Sequence, residues 1–341
     1  MRKLIALVLT LALVLAAVPA LAEGKLVVLT PNPDAEITHI LNPFAEKYGI
    51  EIELMSMGTG NCYTKLLAEV ENPTVDVMFG GVESTWTHDY PNLFMTYVAA
   101  GNELLPAEYQ NPDGMITNYI LGGSCVLIVN EELEAELGLN ITSYADLLDP
   151  KLKGQIASAD PNSSSSAFAH LSNLLLAVGD GENPYESEAA WNYVAALIEQ
   201  LDGAYTSGSS AVYKGVTNGE YVVGLTYEVG AVGYIANGAQ GVRAVYPTEG
   251  VCWTPVGSAI VNGAQNIDNA KLFMDWLISD ECQTTMAKAE GSVLRGVRTD
   301  LFQATEYMPA FDTLNIKYED SEYTSGNKQT ILDHWNDLWN K

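Results

Sequence analysis

Four consecutive serines, Ser163 to Ser166, combine residue types and a position that could bind a ligand. They follow a short apolar segment, 155–158, and precede apolar residues at helical spacing, which predicts a helix start near Ser165 or Ser166. A helix start presents free backbone N–H groups and the positive end of the helix dipole, and serine adds hydroxyl donors. These groups suit an anion or a polar ligand, although serine is also a common N-cap in loops that bind nothing.

Similar polar segments recur wherever a strand is predicted to end. The segment 205–210 opens a second serine-rich helix start, and the strand 221–225 runs into Tyr227 and Glu228. Three earlier strand ends run into polar or glycine-rich loops within 30–83. We predict that a ligand is bound by residues of these loops, namely Asn32, Thr59, Gly60, Asn61, Gly81, Ser163, Ser164, Ser165, Ser207, Ser209, Tyr227 and Glu228.

Alternating strands and helices must position these loops. Strands are predicted at 25–29, 50–54 and 75–79, with amphipathic helices between them, and this order implies a parallel sheet with right-handed crossovers. Ligands of such sheets sit outside the carboxyl ends of the strands. A second alternating set begins after residue 124. We therefore predict an α/β fold of two lobes with an interlobe cleft.

The chain divides into a leader and two predicted lobes. Residues 1–22 form a signal peptide, 23–123 and 256–341 form a discontinuous first lobe, and 124–255 form the second lobe. The chain then crosses between the lobes near 122–126 and again near 251–256.

Two further expectations depend on these crossings. Because crossing strands tend to lie side by side, we favour a disulfide between Cys125 and Cys252, the alternative being that all four cysteines are small buried residues. We also expect the C-terminal helix, which carries Ile331 and Trp335, to pack against the first lobe.

The start of the chain predicts export. Arg2 and Lys3 precede the apolar run 4–18, and Ala20-Leu21-Ala22 fits the small-x-small cleavage rule, so the mature chain is expected to be soluble and periplasmic or extracellular. The formal charge of −27 makes nucleic acid and anionic membrane surfaces poor partners. It does not exclude an anionic ligand, because helix dipoles in a closed cleft act at contact while distant charges are screened.

Several short motifs, taken in order, resemble the extracellular solute-binding proteins of ABC importers, in the type II branch that contains ferric-iron, phosphonate and hexose-phosphate binders. The resemblance covers nearly the whole mature chain. It is carried by the segments 58–60, 66–69, 72–73, 75–77, 80–81, 147–154, 159–161, 227–228, 245–250, 270–277 and 279. It implies two α/β lobes that are joined by a two-strand hinge, close on a solute and dock on a membrane permease, without catalysis. We expect a monomer.

The same resemblance bears on the ligand. Ferric-iron binders use two adjacent tyrosines, whereas Tyr227 is followed by Glu228 and no Tyr-Tyr pair occurs in the chain, which argues against iron. A metal site here would need Tyr227, Glu228, Tyr234 and a synergistic anion. Hexose-phosphate binders place an acidic residue at this position, so Glu228 is expected to accept sugar hydroxyls or to pair with a ligand amine. The leading hypothesis is therefore a small phosphorylated or phosphonate solute, held by the serine-lined helix starts.

A secreted hydrolase is the alternative from a different class. No G-x-S-x-G sequence occurs, and the closest serine–histidine pair, Ser166 and His170, lies one helical turn apart without an orienting acid. Cys62, near a helix start, is a candidate activated thiol, but a buried structural cysteine is the interpretation that we favour. The cysteines lack C-x-x-C spacing and no histidine pair has ligand spacing, so we assign no catalytic residue, no metal and no cofactor.

Overall fold

The computed structural model describes residues 24–32, 34–82, 84–111, 113–123, 126–288 and 293–341. The predicted signal peptide, 1–22, lies outside these residues, as does Cys125. Among the described helices, none is both long enough and apolar enough to cross a membrane.

The strands of the described residues agree closely with the predicted ones in the first hundred residues. In chain order they are β1 Gly24–Thr30, β2 Ile50–Ser56, β3 Val77–Val82, β4 Thr117–Gly122, β5 Val126–Asn130, β6 Ile156–Ala157, β7 Val223–Thr226, β8 Val242–Val245, β9 Val251–Cys252, β10 Thr254–Ile260 and β11 Ile316–Lys317.

The helices connect these strands and cover the sheets. The first, α1, is composite and comprises Asp34–Glu36, a π-helical turn Ile37–Leu41 and Asn42–Tyr48. The others are α2 Thr59–Ala68, α3 Ser84–Asp89, α4 Glu131–Glu136, α5 Ser165–Val178, α6 Glu188–Leu201, α7 Ser209–Thr217, α8 Glu228–Ala236, α9 Ile267–Ile278, α10 Asp280–Lys288, α11 Ser321–Gly326 and α12 Lys328–Trp339.

The first sheet has the strand order β2-β1-β3-β10-β4. β1 pairs with β2 and β3 in parallel, as the alternating pattern predicts, whereas β10 runs antiparallel between β3 and β4. Leu26, Val28 and Leu29 of β1 are completely buried, because helices cover both faces of the sheet. The antiparallel β10 is a strand that local sequence patterns did not predict, since it comes from a distant part of the chain.

The second sheet has the order β6-β7-β5-β8. β6 and β7 are parallel, and β5 runs antiparallel to both β7 and β8. The described chain therefore has two mixed sheets covered by helices, which is the predicted two-lobed α/β architecture.

The two crossings between the sheets lie side by side. The chain leaves the first sheet through β4 and returns through β10, and Gly122 of β4 pairs with Thr254 of β10. Cys252 lies just before this crossing, in β9, which pairs with β11. It is a free buried thiol, so the disulfide that we favoured with Cys125 is wrong. Burial raises the pKa of the Cys252 thiol to about 12.

The C-terminal helix does not pack where the sequence suggested. Ile331 and Trp335 of α12 belong to the apolar cluster of the second sheet, together with Leu127 and Leu171, and α12 lies against α6. The prediction that this helix covers the first lobe is therefore wrong. The reason is the pairing of β11 with β9, which brings the chain back to the second lobe before α12 begins. We keep the lobe boundaries at 123/124 and 255/256 as a proposal and assign α12 to the second lobe.

Candidate functional site

The loops that follow β1, β2 and β3 meet at one edge of the first sheet. The backbone N–H of Met57 donates to the carbonyl of Thr30 at 3.1 Å, which joins the second loop to the first. Gly80 has φ +84°, and a Cβ on it would lie 1.9 Å from Oδ1 of Asn32. Gly80 lies within β3, beyond the predicted end of this strand at residue 79, and only glycine allows the end of β3 to approach Asn32.

Gly81 repeats this close approach towards α2. Its φ is +70°, and a Cβ there would lie 2.8 Å from Cγ of Pro31 and 3.3 Å from Cγ2 of Thr59. Its carbonyl accepts a hydrogen bond of 3.0 Å from the hydroxyl of Tyr63, whose ring stacks on Trp86. The structure therefore places the predicted residues Asn32, Thr59 and Gly81 next to one another.

Helix α2 begins beside this cluster, and the N–H of Asn61 in its first turn donates to the carbonyl of Gly58 at 2.9 Å. Its N-cap is Gly58, which has no side chain to accept from the first backbone N–H groups. A Cβ added to Gly58 or Gly60 would meet no atom of the described residues within 4 Å, and Thr59 and Asn61 are exposed. The predicted residues Thr59, Gly60 and Asn61 thus border open space at a positive helix end.

A buried polar chain lies behind Asn32. Its Nδ2 donates to the hydroxyl of Tyr119 at 2.9 Å, and that hydroxyl donates to Oε2 of Glu36 at 2.6 Å. All three side chains are buried. Burial raises the pKa of Glu36 from 4.5 to about 7, although the hydrogen bond from Tyr119 opposes the shift. The sequence carried no signal for this chain, because its members are far apart and helical spacing does not single out Glu36.

The state of Glu36 predicts how stability depends on pH. The folded protein holds this proton more tightly than the unfolded chain, so stability should fall as the pH rises from 4.5 to about 7. Glu36→Gln should therefore be more stable than the wild type at pH 8 by about 1–3 kcal/mol, with the difference shrinking towards pH 4.5. Urea unfolding of both proteins across this range measures the effect, and the exposed Glu46→Gln on the same helix is the control. A pH-independent difference would contradict the assignment.

The predicted loops of the second lobe are also adjacent. Ala159 forms a bridge with Thr206, whose backbone N–H donates to the carbonyl of Ser158 at 2.8 Å. Nδ1 of His170 in α5 lies 3.2 Å from the carbonyl oxygen of Thr226, at the end of β7. The segments 159–166, 206–210 and 226–228 therefore come together at the carboxyl ends of β6 and β7.

Helix α5 begins at Ser165, as the sequence predicts. Ser164 is the N-cap, and its hydroxyl accepts from the N–H of Ala167 at 3.3 Å. The carbonyl of Asp160 accepts from the N–H groups of Ser163 and Ser164 at 3.1 and 2.9 Å. Ser163 and Ser165 are exposed. The hydroxyl of Ser164 is thus used in capping, and that of Ser163 donates to the carbonyl of Asp160 at 3.4 Å, while the side chain of Ser165 is exposed.

Helix α7 begins as α2 does. Its N-cap is Gly208, which has no side chain to accept a hydrogen bond, and a Cβ on Gly208 would meet none of the atoms that the structure describes within 4 Å. Ser207 is exposed and Ser209, the first helical residue, is half-buried. Ser207 and Ser209 therefore flank a helix start whose N-cap has no side chain, and the N–H of Ala211 donates to the carbonyl of Gly208 at 3.0 Å.

Both groups of loops flank the crossing strands. β10 enters the first sheet at Thr254 and reaches the carboxyl end of β3 at once, where Gly257 pairs with Val82. β5 enters the second sheet at Val126, which pairs with Thr226 at the carboxyl end of β7. The loop-bearing edge of each sheet is therefore the edge from which the chain passes to the other.

Glu228 does not have the predicted role. Its side chain is fully buried and forms an ion pair with Arg295, with Nη2 of the arginine 2.7 Å from Oε1. Trp253 donates from Nε1 to Oε2 at 2.8 Å, and the hydroxyl of Tyr246 donates to Oε1 at 2.7 Å. The prediction that this carboxylate accepts sugar hydroxyls or pairs with a ligand amine is therefore wrong, because protein donors surround it.

Arg295 is the residue that sequence reasoning missed. It lies on a segment beside β4, where its carbonyl accepts from the N–H of Leu121 at 2.7 Å. Its guanidinium carbon lies 4.7, 4.4 and 4.6 Å from the ring centroids of Trp253, Phe302 and Phe311. Stacking on aromatic rings stabilises a buried guanidinium. The pair thus ties the segment beside β4 to the start of α8, across 67 residues of sequence.

Tyr227 is half-buried in a small tyrosine cluster. Its ring lies 6.0 Å from that of Tyr213, which lies 5.3 Å from that of Tyr234. Burial, and then the hydrogen bond with Tyr213, raise the pKa of Tyr227 well above its ordinary value. In the described part of the chain, no group of three or more histidine, cysteine or acidic residues is placed to hold a metal ion.

The candidate residues of the hydrolase alternative, His170, Ser166 and Cys62, make contacts within the fold rather than forming a catalytic arrangement. Nε2 of His170 lies 3.1 Å from the hydroxyl of Tyr144, its other nitrogen faces Thr226, and burial lowers its pKa to about 4. The hydroxyl of Ser166 pairs with that of Ser164. Cys62 is buried, which raises the pKa of its thiol. The geometry does not join Ser166 to His170 and does not activate Cys62.

Two mixed sheets with paired crossing strands give the chain the fold of the type II periplasmic binding proteins. The family model for bacterial extracellular solute-binding proteins matches residues 39–311. The chain therefore belongs to that family, whose members are exported proteins that bind small solutes for ABC transporters and dock on a permease.

Individual relatives are consistent with this assignment. A probable ABC transporter periplasmic-binding protein of Sinorhizobium fredii is 25% identical over 284 residues, covering 82% of this chain and 76% of the relative. The periplasmic binding protein AfuA of Actinobacillus pleuropneumoniae, solved with fructose-6-phosphate, is 25% identical with a TM-score of 0.73, covering 94% and 99% of the two chains. A ferric binding protein of Campylobacter jejuni shares the fold at 17% identity, with a TM-score of 0.68 and coverage of 92% and 99%.

Proposed function

We propose that this protein captures a small phosphorylated or phosphonate solute in the cleft between its lobes and delivers it to the permease of an ABC importer. The observation that carries the proposal is the pair of glycine-capped helix starts, α2 at Gly58 and α7 at Gly208, one in each lobe. Both lie at sheet edges beside the crossing strands, so closure of the lobes brings their N–H groups towards one ligand. We expect the protein to act as a monomer.

The chemistry of these helix starts suits an oxyanion. Backbone N–H groups at a helix N-terminus donate to phosphate oxygens, and the helix dipole adds a favourable field. The hydroxyls of Ser207 and Ser209, and those of the exposed Ser163 and Ser165, supply further donors. Each hydrogen bond to a charged group contributes about 1.5–3 kcal/mol. Fructose-6-phosphate in AfuA, a structural relative over nearly the whole chain, supports the phosphorylated class.

Ferric iron is the second candidate, because a ferric binding protein shares this fold. The described residues provide fewer suitable ligands for ferric iron than for an oxyanion. Burial disfavours a tyrosinate at Tyr227, and Glu228 is paired with Arg295 rather than free to bind a metal. A ferric site would have to displace one of these interactions first.

A ligand screen distinguishes the two candidates. Fructose 6-phosphate, 2-aminoethylphosphonate, unphosphorylated fructose and ferric citrate are added separately to the purified protein, and the melting temperature is recorded. We expect a phosphorylated or phosphonate compound to raise it, since a ligand at 1,000 times its Kd stabilises a protein by about 4 kcal/mol, and fructose to have no effect. A shift with ferric citrate alone, accompanied by a visible tyrosinate–iron band, would establish the iron alternative instead.

A further inference from the structure

The C-terminal helix α12 contacts the serine segment 159–166 directly. Asn336 and Asn162 form a reciprocal amide pair, in which each Nδ2 donates to the Oδ1 of the other at 3.0 Å. The pair joins residues 174 positions apart in the sequence. The serine segment is therefore held at its middle by a helix from the end of the chain.

The same face of α12 contacts Tyr205, which directly precedes the serine-rich segment 206–210. Nε1 of Trp335 donates to the hydroxyl of Tyr205 at 2.8 Å, and the ring of Trp339 stacks on Tyr205 with 3.9 Å between centroids and an angle of 14°. Tyr205 directly precedes Thr206, which bridges to Ala159. One face of α12 thus contacts one residue in each of the segments 159–166 and 205–210, which lead into the serine-lined helix starts of the second lobe.

Apart from the bridge between Ala159 and Thr206, the other described hydrogen bonds that shape the serine segment are local. Asn162 donates from its backbone N–H and from Nδ2 to Oδ1 of Asp160, at 2.9 and 2.7 Å. The carbonyl of Asp160 accepts from the backbone N–H groups of Ser163 and Ser164. Bonds of this kind shape a turn but do not fix where the turn lies relative to the rest of the lobe. That position depends on contacts with other elements, and α12 supplies the amide pair.

We propose that α12 is a positioning element of the solute site, in which Asn336 and Trp339 act through Asn162 and Tyr205 to hold the two serine-lined helix starts in the geometry that binds the anion. The inference rests on the proposed function for its effect on affinity. It also has a consequence that needs no ligand, namely slow opening of the segment 159–166 in the free protein.

The test compares Asn336→Ala, Asn162→Ala and the double variant with the wild type. Asn340→Ala is the matched control, because within the described residues its side chain donates to the carbonyl of Asn336 in its own helix and to no other segment. Hydrogen exchange of the amides of 159–166 is followed in the free proteins, and calorimetry measures the affinity for fructose 6-phosphate. Melting temperatures report whether each variant is folded.

We expect faster exchange at 159–166 in Asn336→Ala than in Asn340→Ala, with both melting near the wild type. Affinity should fall about tenfold in each single variant, the equivalent of one or two lost hydrogen bonds, and no further in the double variant if the two amides act as one unit. Trp339→Ala should likewise speed exchange in 205–210.

Two outcomes would overturn the proposal: unchanged exchange at 159–166 in Asn336→Ala, or faster exchange with unchanged affinity for a probe that the wild type binds. If the wild type binds no phosphorylated probe, the proposed function fails separately. Hydrogen exchange of the amides of 159–166 in the free proteins then decides by itself whether α12 positions this segment.

Discussion

Replacing Ser209 by aspartate should reduce the affinity for a phosphorylated solute by about a hundredfold or more, because juxtaposed like charges cost several kcal/mol. Ser209 is the first residue of α7, whose N-cap, Gly208, leaves the first N–H groups without a side-chain acceptor. An aspartate at this position would place its carboxylate where the ligand oxyanion is proposed to bind and would compete for the same donors.

The same substitution should not weaken the fold. A carboxylate in the first turn interacts favourably with the helix dipole, by about 0.3–1 kcal/mol, so the melting temperature should be equal to or above that of the wild type. Loss of binding combined with retained stability separates a role in the site from damage to the structure. The affinity for the ligand and the melting temperature are therefore expected to change in opposite directions, or the affinity alone to change.

Ser209→Asn is the matched control, since it has a side chain of nearly the same size without the charge. Calorimetric titration of both variants with the compound that shifts the wild type measures the effect. Binding by Ser209→Asp at the wild-type affinity would show that the start of α7 does not contact the anion, and the site would then have to lie elsewhere in the cleft.

Replacing Arg295 by methionine should destabilise the protein by about 3–5 kcal/mol, because it leaves the carboxylate of Glu228 buried without a counter-charge. Both side chains are completely buried, and the guanidinium donates to Glu228 from Nε as well as from Nη2. A methionine fills similar volume and retains contact with the three aromatic rings, so most of the loss should come from the unpaired charge.

Two further variants isolate that charge. In Arg295→Met/Glu228→Gln the carboxylate is gone. The amide oxygen can still accept from Nε1 of Trp253, and the hydroxyl of Tyr246 can accept from the amide NH2, so much of the stability should return. Arg298→Met is the matched control, because its partners Asp280 and Asp300 are 75% and 56% exposed and remain solvated when left alone. Its loss should be about 1 kcal/mol.

Urea unfolding at pH 7 gives the free energies for all of these proteins. An Arg295→Met variant as stable as Arg298→Met would contradict the assignment of a buried, structurally required pair. The pair also matters for the proposed function, since it ties the segment beside β4 to the first residue of α8, close to the Thr226 end of β7. We therefore expect loss of the ion pair between Arg295 and Glu228 to alter the affinity for the ligand as well.

Several features of the molecule follow from neighbours along the chain, and the sequence predicts them well. The strands β1, β2 and β3, their parallel order and the start of α5 at Ser165 all agree with the predictions. So does the lateral pairing of the crossing strands at Gly122 and Thr254. Hydrophobic periodicity and helix-start chemistry depend on residues within one or two turns, so they can be recognised without the fold.

The errors share one physical cause. Glu228 was predicted to face the ligand because its partner, Arg295, is 67 residues away and on a segment without a recognisable motif. The helix α12 was assigned to the wrong lobe because an amphipathic pattern identifies the buried face of a helix but not the surface that covers it. Cys252 was paired with Cys125 on strand adjacency alone, whereas β9 pairs with β11.

By itself, the sequence determined the class of fold, the chemistry of the helix starts and the resemblance to solute-binding proteins of ABC importers. Only the tertiary structure decided which polar groups remain available: Glu228 is neutralised by Arg295, while the glycine-capped starts of α2 and α7 stay open. The physical reason is that a polar side chain becomes a ligand contact only when no protein partner reaches it, and such partners come from distant parts of the chain.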